Sequence, residues 1–134
     1  MNKDIEKLIS ALYNYEWDKN ISEEDVKRIL SQDNMFYFFH KEDDKLVGMV
    51  AMHIYEVFSR KVALIEEVVV LKEYRKRGIG EKLVKEAIDV AKEKGVTCVE
   101  LFVKIANDSA RQLYTKMGFY SRDNVAMRLW INKQ

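Results

Sequence analysis

The sequence predicts one mixed α/β domain over residues 1–134, with a largely antiparallel central sheet flanked by helices. Three observations carry this expectation. The apolar period switches between helical and alternating in the order helix, helix, three strands, helix, strand, helix, strand. The links between the first three strands are short, which suits antiparallel neighbours. Apolar residues make up 48% of the chain and proline is absent, so there is material for a core and no sign of an extended linker.

Ile5, Leu8, Ile9 and Leu12 fall at i, i+3, i+4 and i+7, one stripe of an amphipathic helix. Ser22 opens a second helix as its cap, with Asp25 reaching back as a variant capping box and Ile21 and Val26 placed as a hydrophobic staple. Val26, Ile29 and Leu30 give that helix a buried face. Met35 to His40 is aromatic-rich, as strands are. Glu42-Asp43-Asp44 marks a turn. Lys45 to Tyr55 and Val62 to Leu71 follow as strands joined near Phe58-Ser59-Arg60. The run Val68-Val69-Val70-Leu71 is apolar on both faces, which predicts a central strand covered on both sides.

A long helix comes next. Ile79, Leu83, Val84, Ala87, Ile88 and Ala91 form its apolar face, and Gly95 is placed to end it. Val96 to Val103 is a strand. Asn107 or Asp108 caps a short helix carrying Ala110, Leu113, Tyr114 and Met117 on one face, ended by Gly118. Val125 to Ile131 is the last expected strand.

Composition narrows the function. Cys98 is the only cysteine, so there is no internal disulfide; it is expected as a small buried hydrophobe. No Cys/His cluster has zinc spacing, and no metal is expected. The first residues lack a signal-peptide core, and no run approaches the roughly 18 apolar residues of a membrane span, so a cytoplasmic protein without a membrane partner is expected. The net charge of +1 gives no bulk attraction to nucleic acid. It is unevenly placed: residues 1–60 hold 8 basic and 12 acidic residues, net −4, and residues 61–134 hold 15 and 10, net +5. A phosphate-bearing ligand suits the second half and a cationic substrate the first, where Glu23, Glu24, Asp25, Asp43, Asp44 and Glu56 lie.

The sharpest local signal is Arg75-Lys76-Arg77-Gly78-Ile79-Gly80, between a strand and a helix. Gly78 and Gly80 let backbone approach a ligand closely. The helix start offers free N–H groups and the positive end of its dipole, and Arg75, Lys76 and Arg77 add charge. The string is neither a Walker loop nor the G-x-G-x-x-G dinucleotide pattern, since Leu83 stands where the third glycine belongs.

This loop is preceded by Ile65-Glu66-Glu67-Val68-Val69-Val70 and followed by Asn107, Tyr114 and Gly118-Phe119. In that order the motifs resemble the GCN5-related N-acetyltransferase (GNAT) family, from about residue 35 to 131. The resemblance implies acetyl-CoA as co-substrate. Backbone amides of about Lys76 to Glu81, Ile79 among them, would hold its pyrophosphate. The preceding strand, with Val68, Val69 and Val70, would pair with the pantetheine arm and polarise the acetyl carbonyl. Asn107 and Tyr114, seven apart, match the family's Asn and Tyr. Two positions depart from the family. The chain opens almost directly into a helix where a short strand is usual, leaving a sheet edge absent or supplied by another chain, and Lys72 replaces a frequent proline.

Transfer to an amine needs a base, because an alkyl ammonium is mostly protonated at neutral pH. Glu66 and Glu67 are adjacent on an otherwise apolar strand, and only one of them can face a given site. By the resemblance Glu66 is the first candidate base and Glu67 the second, with structural carboxylates as the alternative for either. Tyr114 is the candidate donor of a proton to the departing thiolate, with a core aromatic as its alternative. His40 and His53 stand isolated in the sequence and are expected as surface or packed residues. The expected function is acetyl transfer from acetyl-CoA to the primary amine of a small cationic molecule. The alternatives are a protein N-terminus or lysine as acceptor, or a module that binds CoA without catalysis. A homodimer through Met1 to Tyr15 or the C-terminal strand is a further expectation.

Overall fold

The computed structural model describes residues 1–13 and 20–132, in two units, Met1–Phe102 and Val103–Gln134. Tyr15, the end of the candidate dimer segment, lies outside the described residues.

In the first unit, turn chemistry sets the sheet. Asp43 and Asp44 are both left-handed, at φ 49° and 67°, as a two-residue hairpin turn between right-twisted strands requires. They join β1 (Met35–Glu42) to β2 (Lys45–Val57). A second hairpin at Phe58-Ser59 leads to β3 (Arg60–Val70). Both pairs are antiparallel. β4 (Cys98–Leu101) then lies parallel to β3, and the sheet order is β1-β2-β3-β4. Parallel neighbours need a crossover, and α3 (Ile79–Glu93) supplies it, ending at Gly95 in the left-handed conformation (φ 76°).

Helices cover both faces of the sheet. α1 (Asn2–Tyr13) packs Leu8 against Leu46, Met49 and Val69. Gly48, next to Met49 and therefore pointing the other way, meets α3: a Cβ there would come within 3.1 Å of both Ile79 and Leu83. The missing side chain lets α3 lie close on β2, whose Leu46 to Met52 are all buried, Gly48 included. Each fully buried large apolar side chain, such as Leu8 or Leu83, contributes about 1.5–3 kcal/mol.

α2 (Glu23–Leu30) begins as expected, with Ser22 Oγ accepting from Asp25 N at 3.0 Å and Ser22 N donating to the Asp25 carboxylate at 3.2 Å. α1 holds the lead-in to this helix. Ile21 N–H donates to Glu6 at 2.9 Å, and Asn2 Nδ2 donates to Ile21 O at 2.9 Å. Asp4 accepts from Leu46 N at 3.0 Å, tying α1 to β2.

In the second unit, Asn107 is the cap of α4 (Asp108–Lys116), its Oδ1 accepting from Ala110 N at 3.2 Å. The expected strand Val125 to Ile131 is not formed among the described residues. Its alternating Val125, Met127, Leu129 and Ile131 are each more than four-fifths exposed. Alternation supplies the face of a strand, but the strand itself is made by a hydrogen-bonded neighbour, which this segment lacks here. β4 is also shorter than the predicted Val96 to Val103, and Cys98 within it is half-buried rather than buried.

Candidate active site

β3 changes character along its length. Its pairing with β4 stops at Ile65, opposite Leu101. Pairing with β2 continues to Val70, opposite Gly48, with a slip on the way. Ala51 faces Glu66 and Met49 faces Val69, so Val50 alone stands opposite Glu67 and Val68. That is a β-bulge. The edge of residues 66–70 away from β2 is left without a strand partner among the described residues, so Val68 and Val70 are half-exposed and only Val69 is buried. α1 and α3 both pack on β3, as a run apolar on both faces predicts, while β4 ends before Val68 and leaves this end of the strand half-exposed.

The bulge separates the two candidate carboxylates. Glu67 adopts φ 50°, a left-handed conformation that costs an L-residue about 1–2 kcal/mol. Its side chain lines a cavity between α1, α2 and the sheet. Burial, and then the charge of Glu66, push its pKa above the usual 4.5. Glu66 sits on a half-exposed site, with its carboxylate 3.7 Å from His53 Nδ1. The first-ranked Glu66 thus lies on the half-exposed side beside His53, and the second-ranked Glu67 lines the cavity. His53 is not isolated: it joins Glu66 and tilts against Tyr55 at 5.5 Å. His40 meets Glu42 at 3.2 Å.

The cavity holds about 120 Å³ of space, room for a compact group rather than a whole drug-sized ligand. α1 and α2 contribute branched aliphatics, Ile5, Ile9, Val26 and Ile29 among them, and β1 contributes Tyr37 and Phe39. Burial first, then the charges of Glu67 and Glu66, raise the Tyr37 hydroxyl above 10, so it stays a neutral donor at physiological pH. Tyr37 and the aliphatic wall were missed from sequence. The signal available was the alternation of Tyr37 and Phe39 on one strand face.

The glycine loop follows β3 directly. After a 3-10 turn over Lys72–Tyr74, Lys76 (φ 64°) and Gly78 (φ 80°) are both left-handed. Gly78 is the cap position of α3, with no side chain bonded to the first helical amides. A Cβ on Gly78 would meet nothing within 4 Å, so the cradle is open. Gly80 lies against β3, where a Cβ would be 3.7 Å from Val70. Arg75 Nε donates to Val70 O at 2.8 Å, and Arg77 donates to Glu73 O at 3.3 Å while stacking on Tyr74. These two arginines brace the loop, and Lys76 is exposed. Ile79 is buried, so it offers its backbone only, and Glu81 pairs with Lys85 at 3.5 Å.

In the second unit, Tyr114 is 8% exposed and meets Phe119 edge-on at 5.8 Å. Burial raises its pKa above 10, which keeps its hydroxyl protonated at neutral pH. No group of three or more His, Cys, Asp or Glu side chains gathers as metal ligands among the described residues, and no described helix is long and apolar enough to cross a membrane.

Comparison with known proteins shows the family. The chain is 35% identical over 102 residues to an uncharacterized N-acetyltransferase of Methanocaldococcus jannaschii, covering 74% of this chain and 45% of that one. It is 37% identical over 91 residues to an uncharacterized N-acetyltransferase of Archaeoglobus fulgidus, covering 66% and 62%. The chain thus spans roughly half the length of these curated relatives. A solved aminoglycoside acetyltransferase from an uncultured soil metagenomic sample shares the fold with TM-score 0.83 at 22% identity, over 98% of this chain and 89% of that one. The family described as acetyltransferase (GNAT) matches residues 2–119, a span that takes in the bulged strand, the glycine loop and Tyr114. With nearly the whole chain inside that match, this protein belongs to the GNAT acetyltransferase family.

Proposed function

We propose that this chain transfers an acetyl group from acetyl-CoA to a primary amine, with Glu67 as the general base. The observation that carries this reading is the bulge, which turns Glu67 into a cavity at the same point where β3 loses its neighbour. A strained carboxylate, partly desolvated and raised in pKa, is what proton abstraction from an ammonium near neutral pH calls for.

The residues fit the co-substrate. The uncapped amides at the start of α3 and the open Gly78 suit a pyrophosphate, with Lys76 adding charge. The unpaired edge of 66–70 suits an extended amide arm. Acetyl-CoA supplies an activated thioester. Glu67 removes the proton from the acceptor ammonium, directly or through water, and frees the nitrogen lone pair for attack on the carbonyl carbon. As the C–S bond breaks, the Tyr114 hydroxyl is assigned to give its proton to the sulfur and to regain, directly or through water, the second proton that the attacking nitrogen sheds, while Glu67 passes the first to solvent. That role comes from the family resemblance and suits a phenol held neutral by burial. Asn107 keeps its place as helix cap.

A module that only binds CoA has no use for a strained, half-buried carboxylate, and this favours the enzyme. Thiol release from acetyl-CoA against a panel of amines tests the reading. Turnover that falls sharply in Glu67→Gln and little in Glu66→Gln supports it. Tight CoA binding with no turnover on any amine or peptide returns the chain to the binding module.

A further inference from the structure

We propose that the cavity in front of Glu67 selects a primary amine carried on an apolar body, branched aliphatic or aromatic, over polyamines, aminoglycosides and amino sugars. This rests on the reading of Glu67 as the base. The acidic first half of the chain had pointed to a cationic acceptor, but the structure gives most of those acids other work. Asp25 completes the capping box and pairs with Arg28 at 3.2 Å. Asp43 and Asp44 form the hairpin turn. Glu23 and Glu24 sit in the first turn of α2, where the helix dipole favours them. Glu56 stands across from Lys61. Asp4 and Glu6 accept backbone hydrogen bonds from Leu46 and Ile21. None of these carboxylates lines the cavity.

Among the described residues, the cavity offers an acceptor one carboxylate and one phenol in a wall of branched and aromatic side chains. Glu67 can take a single ammonium. A second cation, or a ring of hydroxyls, would be buried against Ile5, Ile9, Val26 and Ile29 without partners, which is unfavourable. An apolar body covers the same wall favourably. The α2 side of the wall is held in place, because Ile21 is fixed to α1 through both its N–H and its carbonyl. The apolar amine could be a free small molecule or the α-amine of a peptide with a large apolar first side chain. Both present the same chemistry to this cavity.

The test compares kcat/KM for 2-phenylethylamine and 3-methylbutylamine with 1,4-diaminobutane, glucosamine and an aminoglycoside. A second arm uses peptides beginning with Leu or Phe against peptides beginning with Ser. The apolar amines are expected to exceed the hydrophilic ones by about tenfold or more. Ile29→Asn, in a helix with no fully buried residue, should lower kcat/KM for the apolar amines about tenfold and narrow their advantage over the hydrophilic ones. Val26→Asn serves as the second variant, and circular dichroism checks that both fold. A peptide arm that outruns the free amines, with Leu or Phe ahead of Ser, names the source and supports the proposal. Preference for the diamine, aminoglycoside or amino sugar overturns the proposal and leaves the base assignment standing. Silence in turnover overturns the reading of Glu67. Calorimetric binding of 2-phenylethylamine over 1,4-diaminobutane, weakened in Ile29→Asn, then decides the cavity's preference separately, and absence of that preference overturns it.

Discussion

The two halves of β3 share a chain and a sheet but not a task. From Arg60 to Ile65 the strand has β2 on one side and β4 on the other, and Val62, Ala63 and Ile65 are at most 2% exposed. From Glu66 to Val70 it keeps only β2, slips by one residue and carries a left-handed glutamate. The first half buries apolar area and holds the sheet together. The second gives up a neighbour and accepts local strain, and in return presents a free edge and an aimed carboxylate. On the proposed reading, ending a pairing early is how this sheet makes room for the reaction.

The largest expected effect falls on the second half. Glu67→Gln should lower kcat/KM by about 10²- to 10⁴-fold, measured by thiol release, with the circular dichroism spectrum unchanged. The counterpart in the first half is Ile65→Ala. It removes a fully buried side chain and should cost about 2–5 kcal/mol of stability in urea unfolding. Residual activity per folded molecule should stay close to wild type. If Ile65→Ala abolished activity while the fold held, the division between the halves would fail.

How much of this division was legible in sequence differs between the halves. The apolar run from Val62 to Ile65, the Asp43-Asp44 turn, the Ser22 capping box and the Gly95 stop are local signals, and each element formed where they put it. The glycine loop was also readable, because Gly78 takes a conformation few other residues adopt. The different settings of Glu66 and Glu67 were not. Adjacent carboxylates differ by face, and the face depends on a bulge set by the register between β2 and β3 rather than by a marker residue at the bulge itself. The cavity was equally hidden, since its lining comes from α1, α2 and three strands. Val125 to Ile131 taught the opposite lesson: its pattern was clear, and it forms no strand among the described residues.

A smaller effect concerns packing beneath both halves. Gly48→Ala would push Ile79 and Leu83 back from 3.1 Å contacts and should cost about 1 kcal/mol or somewhat more by thermal unfolding. A neutral result would mean that α3 can shift without loss. The smallest effect has the opposite sign. Because the folded pKa of Glu67 lies above its unfolded value, ionising it weakens the fold as pH rises from about 4.5 through the folded pKa. Glu67→Gln should therefore melt slightly higher than wild type at pH 7, and the two should converge below pH 4.5. A lower melting point at pH 7 would show that the carboxylate contributes to stability.

The most direct test of Glu67 as the base is the pH profile of kcat/KM for wild type, Glu66→Gln and Glu67→Gln side by side. The wild-type acid limb should have its midpoint above 4.5. Removing the Glu66 charge should move that limb to lower pH and keep most of the rate, because that charge is the second cause of the raised pKa. Glu67→Gln should leave only a small residual rate without the limb. A Glu66→Gln enzyme that loses both rate and limb, beside a Glu67→Gln enzyme that keeps them, would contradict the assignment and make Glu66 the base.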